Sequence, residues 1–77
     1  GLARARRVTI ARALDDHFSE GELRMLVAEL DYPWEHLDGE NRAERALDLV
    51  EAMERRDRVS DLVAIMRRER PRMQIEV

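Results

Sequence analysis

Two histidines, a serine and a dense set of carboxylates are the residues whose types could do chemistry in this chain. His17 and His36 with a carboxylate would make a zinc site if they met. They stand nineteen positions apart, and neither belongs to a His-x-x-x-His pair on one helix face, so no metal is expected. Ser19, His17 and the pair Asp15-Asp16 supply the residue types of a nucleophile triad. Neighbours this close at a helix-to-cap junction do not readily converge in triad geometry. The chain has no cysteine, hence no thiolate nucleophile, disulfide or thiolate metal site, and it has no phosphate loop. The expectation is a domain without catalysis of its own, without cofactor and without a small-molecule substrate.

The charges are more informative than any catalytic set. They make up 40% of 77 residues, yet the net charge is only −3. Every basic side chain is arginine, whose planar fork suits carboxylates at interfaces. Residues 1–12 hold four arginines and no acid. Residues 13–54 hold thirteen acids and three arginines, and residues 55–77 hold seven arginines and four acids. Basic ends around an acidic middle suit a complementary protein surface better than nucleic acid. A nucleic-acid-binding helical domain would place arginines of the first and last helices on phosphates, but the acidic middle opposes a duplex and no recognition helix stands out. A structural or regulatory subdomain of a larger enzyme is the other alternative.

The elements that must position these charges are helices. No run is apolar enough to span a bilayer and no signal-peptide core is present, and a chain without cysteine suits a reducing cytoplasm. Gly1-Leu2 lacks an initiator methionine, which points to a piece of a longer protein with Gly1 as a tag remnant. The first helix falls within residues 3–17, with Thr9 as an alternative cap and Ile10, Leu14 and His17 or Phe18 on its apolar stripe. Ser19-Glu20-Gly21-Glu22 reads as a capping box, and Phe18 and Leu23 as a hydrophobic staple. The second helix runs to about Leu30 with Leu23, Leu26, Val27 and Leu30 inward. Asp31-Tyr32-Pro33 breaks it, and Pro33 opens a short third helix that turns Trp34 and Leu37 toward the core. Asn41 caps a fourth helix carrying Ala43, Ala46, Leu47, Val50 and Met53. Ser60 is expected to cap a fifth with Leu62, Ile65 and Met66 inward, ended by Pro71. Residues 72–77 read as a stub of a last helix or the start of a linker. Met25 and Leu49 fall off the stripes, either exposed or at buried edges.

Three stretches carry a resemblance: Ala13-Leu14-Asp15-Asp16-His17-Phe18-Ser19-Glu20-Gly21-Glu22-Leu23-Arg24; Leu30 to Ala43, with its Tyr32-Pro33-Trp34 turn; and Arg55-Arg56-Asp57-Arg58-Val59-Ser60-Asp61-Leu62 followed by Arg67-Arg68-Glu69-Arg70-Pro71. Together they resemble the bacterial effector-associated domains of the first type, the bacterial death-like domains. The resemblance covers residues 9–71, leaving 1–8 as an extension or helix start and 72–77 as a tail. It implies an all-α, compact, death-like antiparallel bundle of five to six helices. It also implies an adaptor that pairs like with like between effector and signalling proteins in bacterial immunity or conflict. Some death-effector domains carry an Arg-x-Asp-Leu motif. Arg58-Val59-Ser60-Asp61-Leu62 has one residue too many for it, so that role is not carried over.

The expected contact surface follows from charge. Glu20, Glu22, Glu29, Asp31, Glu35, Asp38 and Glu40 gather around the second and third helices, with Tyr32 and Trp34 as aromatic neighbours. Arg4, Arg6, Arg7 and Arg12 stand on or before the first helix, and Arg67, Arg68 and Arg70 on the last. An acidic face of one copy is expected to meet a basic face of another, as a dimer or a longer oligomer. The plain alternative is a solvated surface with weak internal pairs. Trp34 is expected to fill the core more than to anchor a contact, and Tyr32 is open between the two.

Overall fold

Helix-forming patterns separated by short polar turns produce four α-helices and one 3₁₀ turn in the computed structural model, which describes residues 3–75. The helices are α1 (Arg4–His17), α2 (Glu20–Glu29), α3 (Arg42–Arg55) and α4 (Val59–Glu69), with the 3₁₀ turn at Trp34–His36 between α2 and α3. Among the described residues there is no strand, and no helix is long and apolar enough to cross a membrane. Gly1 and Leu2, expected at the start, and Glu76 and Val77 of the tail lie outside the described residues.

Side chains close the starts of two of the four helices. Ser19 Oγ accepts the Glu22 amide at 3.2 Å, and Glu22 Oε1 accepts the Ser19 amide at 2.9 Å, completing the expected capping box. Asn41 Oδ1 accepts the Glu44 amide at 2.9 Å and so caps α3. Thr9 is no cap: α1 begins five residues earlier, and the Thr9 hydroxyl donates to the Ala5 carbonyl at 2.9 Å inside the helix. Ser60 is no cap either. The backbone closes over the end of α3 and leaves Arg58 as the residue flanking α4, so Ser60 falls inside the first turn.

The bundle has fewer helices than the five to six expected. Pro33 gives only a single 3₁₀ turn, and nothing helical follows Pro71 among the described residues. The residue before a proline is pushed out of helical geometry, and Arg70 stands at φ −132°, ψ 75°. Beyond it the chain turns back, and Met73 and Ile75 join the core.

The core is continuous and wholly apolar among the described residues. Ile10 and Leu14 of α1, Leu23 and Leu30 of the α2 segment, Leu49 and Met53 of α3, and Leu62 and Met66 of α4 are all fully buried. α3 is the hub, touching α1 most extensively and α2 and α4 besides. Leu49 is fully buried, whereas Ala43 and Leu47 of the expected stripe are exposed. Ala46, Val50 and Met53 of the expected stripe are buried, and the face is completed on its other side by Leu49 and Ala52 in place of Ala43 and Leu47. A radius of gyration of 11.0 Å matches a fully folded chain of this length, about 11 Å.

Candidate functional site

Much of the surface charge is already used inside the molecule. Arg7 Nε meets Glu54 Oε1 at 2.7 Å between α1 and α3, and Arg42 meets Asp15 at 2.8 Å across the same pair. Arg45 of α3 meets Glu20 of α2 at 2.8 Å. Arg68 of α4 reaches Glu29 of α2 at 2.7 Å and Glu69 at 3.1 Å. Arg70 ties three places together: it pairs with Glu22, donates from Nε to the His17 carbonyl at 3.0 Å, and lies 4.6 Å over the Phe18 ring. Arg67 donates to the Ile75 carbonyl at 3.2 Å and so holds the tail.

These contacts shift the carboxyls. Glu22 is lowered to about 2, first by the Ser19 amide and then by the Arg70 guanidinium. Glu29 is held below its ordinary value by its hydrogen bond from Arg68. Both stay ionised at neutral pH, the form their partners need.

Of the residues expected to meet a partner, Glu20, Glu22, Glu29, Arg7, Arg67 and Arg68 are therefore engaged within the fold. The others stand apart. Asp31, Glu35 and Asp38 are exposed, as is Glu40, and their carboxylates make no ion pair among the described residues. Arg4 and Arg12, with Arg6, are likewise exposed and without an ion pair among those residues. Chain positions 31–40 thus form an acidic segment, and the first turns of α1 a basic one.

The aromatic residues are braced by arginines. Tyr32 is buried, with Arg56 4.8 Å over its ring and His36 edge-on at 6.1 Å. Trp34 is half-buried against the core, flanked by Arg24 at 5.2 Å and Arg45 at 5.6 Å. His36 is thus engaged with Tyr32, and Ser19 Oγ with the Glu22 amide. No group of three or more His, Asp or Glu among the described residues is arranged to hold a metal ion.

Two shallow depressions escaped the reading of the sequence. One lies between α2 and α4, lined by Phe18, Glu22, Met25, Leu26, Glu29, Ile65 and Glu69. The other lies between α1 and α3, lined by Val8, Ala11, Arg12, Asp15, Ala43 and Leu47. At 230 Å³ and 140 Å³ they fall below the roughly 300 Å³ at which small-molecule pockets begin. The off-stripe position of Met25 is a sequence signal for the first; the helical spacing puts Leu47 with the core residues and gives none for the second.

A family model described as effector-associated domain 7 matches residues 10–71. No curated protein and no solved structure matches the chain.

Proposed function

Because the chain belongs to the effector-associated domain 7 family, we propose that it is an adaptor module, one that links an effector protein to its regulator by binding another folded domain. It makes and breaks no covalent bond. The class is the one expected from the sequence, of the seventh type where the first was expected. The match over residues 10–71 carries this reading.

The partner in this reading is a second effector-associated domain on a separate protein, in the bacterial cytoplasm, in an immunity or conflict setting. Two features of the molecule support it. The long apolar side chains are largely consumed in the core, so recognition falls to the exterior. The charges left over after internal pairing are separated by sign, acidic along 31–40 and basic along the start of α1. Separated fields of this kind steer encounter and fix orientation more than they add affinity.

Molar mass by light scattering tests the reading, on the domain alone and mixed with an effector-associated domain encoded beside it. A complex larger than either chain is expected, and one that weakens as salt rises. A mixture in which both chains stay monomeric at high concentration sinks the proposal.

A further inference from the structure

The exposed large hydrophobic side chains among the described residues are Met25, at 74% exposure, and Leu47, at 37%. Each sits in one of the two depressions, and the two depressions share no residue. We propose that the α2/α4 groove of one copy receives the α1/α3 face of a second copy of this chain. The proposal rests on the adaptor reading and gives that reading a partner and a surface.

The two surfaces are both apolar in their lining and differ in the charge left over around them. The groove has an apolar floor of Phe18, Leu26 and Ile65, with the exposed Met25 and the carboxylates of Glu22, Glu29 and Glu69 around it. Arg70 serves Glu22, but Arg68 alone serves both Glu29 and Glu69. The rim therefore carries one carboxylate more than the guanidinia that serve it. The α1/α3 face is apolar through Val8, Ala11, Ala43 and Leu47. Asp15 on its edge is taken by Arg42, whereas Arg12 has no ion pair among the described residues. Arg4, Val8 and Arg12 follow at four-residue steps along α1 and so lie on one row of the helix. Seated in the groove, this row brings a guanidinium to the rim and Leu47 to the methionine. An unbranched, polarisable side chain such as Met25 adapts its shape to an incoming apolar group.

Because groove and face are different patches on the same molecule, the contact is heterologous. A pair formed this way leaves one groove and one face open, and further copies add until a ring closes or a filament grows.

The test is complementation. Met25→Glu spoils the groove and leaves the face intact; Leu47→Glu does the reverse. Helical content by circular dichroism checks that both fold. Sedimentation velocity across a concentration series is expected to show wild-type chains growing past the dimer. Each variant alone is expected to remain monomeric, and an equimolar mixture of the two to form a one-to-one dimer that grows no further. Arg12→Glu, which leaves Val8, Ala11, Ala43 and Leu47 in place, is expected to weaken wild-type association at low salt by about tenfold.

A variant that associates like wild type, or a mixture that stays monomeric, overturns the proposal. So does a wild-type chain that is monomeric throughout. If that monomeric chain still binds another effector-associated domain, the adaptor reading survives and only the proposed surface falls. If it binds none, both fall.

Discussion

Glu22 serves two helices at once. Its carboxylate accepts the Ser19 amide, closing the start of α2, and takes a guanidinium N–H from Arg70 beyond the end of α4. Together these hold its pKa at about 2 against an ordinary 4.5. On acidification the unfolded chain takes up this proton before the folded one does. The stabilising effect is therefore whole above pH 4.5 and fades as pH falls through about 2. Glu22→Gln removes the titration, so its melting temperature is expected to fall less steeply than wild type across that window. Thermal unfolding followed by circular dichroism checks this, and identical acid profiles would refute it. Arg70 shows the same economy from the basic side, since one side chain meets a carboxylate, a carbonyl and an aromatic face. Its loss would loosen the α1–α2 junction from α4 and uncover the Phe18 ring at the edge of the core.

At the scale of elements, α2 and α3 end in the same way. After α2, the Tyr32 amide bonds the Val27 carbonyl at 3.1 Å and the Asp31 amide the Ala28 carbonyl at 2.9 Å. After α3, the Arg58 amide bonds Met53 at 2.8 Å and the Asp57 amide bonds Glu54 at 3.1 Å. Both are Schellman closures with the left-handed residue just past the cap. That residue is aspartate in each, Asp31 at φ 57° and Asp57 at φ 56°. Glycine adopts this conformation without the Cβ clash. Asp57→Gly is therefore expected to stabilise the fold by about 1 kcal/mol in urea unfolding, and a loss of stability would show the aspartate side chain to matter more than its backbone. Gly39 is the reverse case. It stands at φ 146°, and a Cβ there would lie 2.9 Å from the Arg45 amide nitrogen and from Glu44 Cβ. Gly39→Ala is expected to destabilise by more than about 1 kcal/mol in the same assay, through the strained approach of the loop to the first turn of α3.

At the scale of the whole molecule, cross-helix ion pairs join α1 to α3, α3 to α2, and α4 to α2. Each is partly exposed and adds little stability by itself. Their larger effect is on the field, since they cancel charge where helices meet and leave the acidic segment at 31–40 and the basic start of α1 uncancelled. Reversing Glu35 and Asp38 to arginine is expected to weaken association with a partner domain and to flatten its salt dependence, because exposed charges act over a screening length of about 8 Å at physiological salt. Light scattering at two salt concentrations reads both effects. Unchanged, salt-insensitive association would remove charge steering from the mechanism.

Local signals settled much of this protein in advance. The capping box at Ser19, the cap at Asn41, the breaks at Asp31-Tyr32-Pro33 and Pro71, and the inward face of α2 are all set by bonds or steps within a few residues. Such bonds form between chain neighbours whatever the rest of the molecule does. On α4, Leu62 and Met66 are buried as expected, but Val63 takes the place expected of the partly buried Ile65. The long-range arrangement was not legible in that way. Thr9 and Ser60 look like caps by type, but the helix ends fell elsewhere. Leu47 and Leu49 differ by two positions, and only the docking of α3 on its neighbours decided that Leu49 is buried and Leu47 exposed. Likewise, which of Glu20, Glu22, Glu29, Arg7 and Arg68 are consumed in pairs depends on which helices lie side by side. Charge pairing and burial across a bundle are set by contacts between residues far apart in the chain, and only the folded molecule brings those residues together.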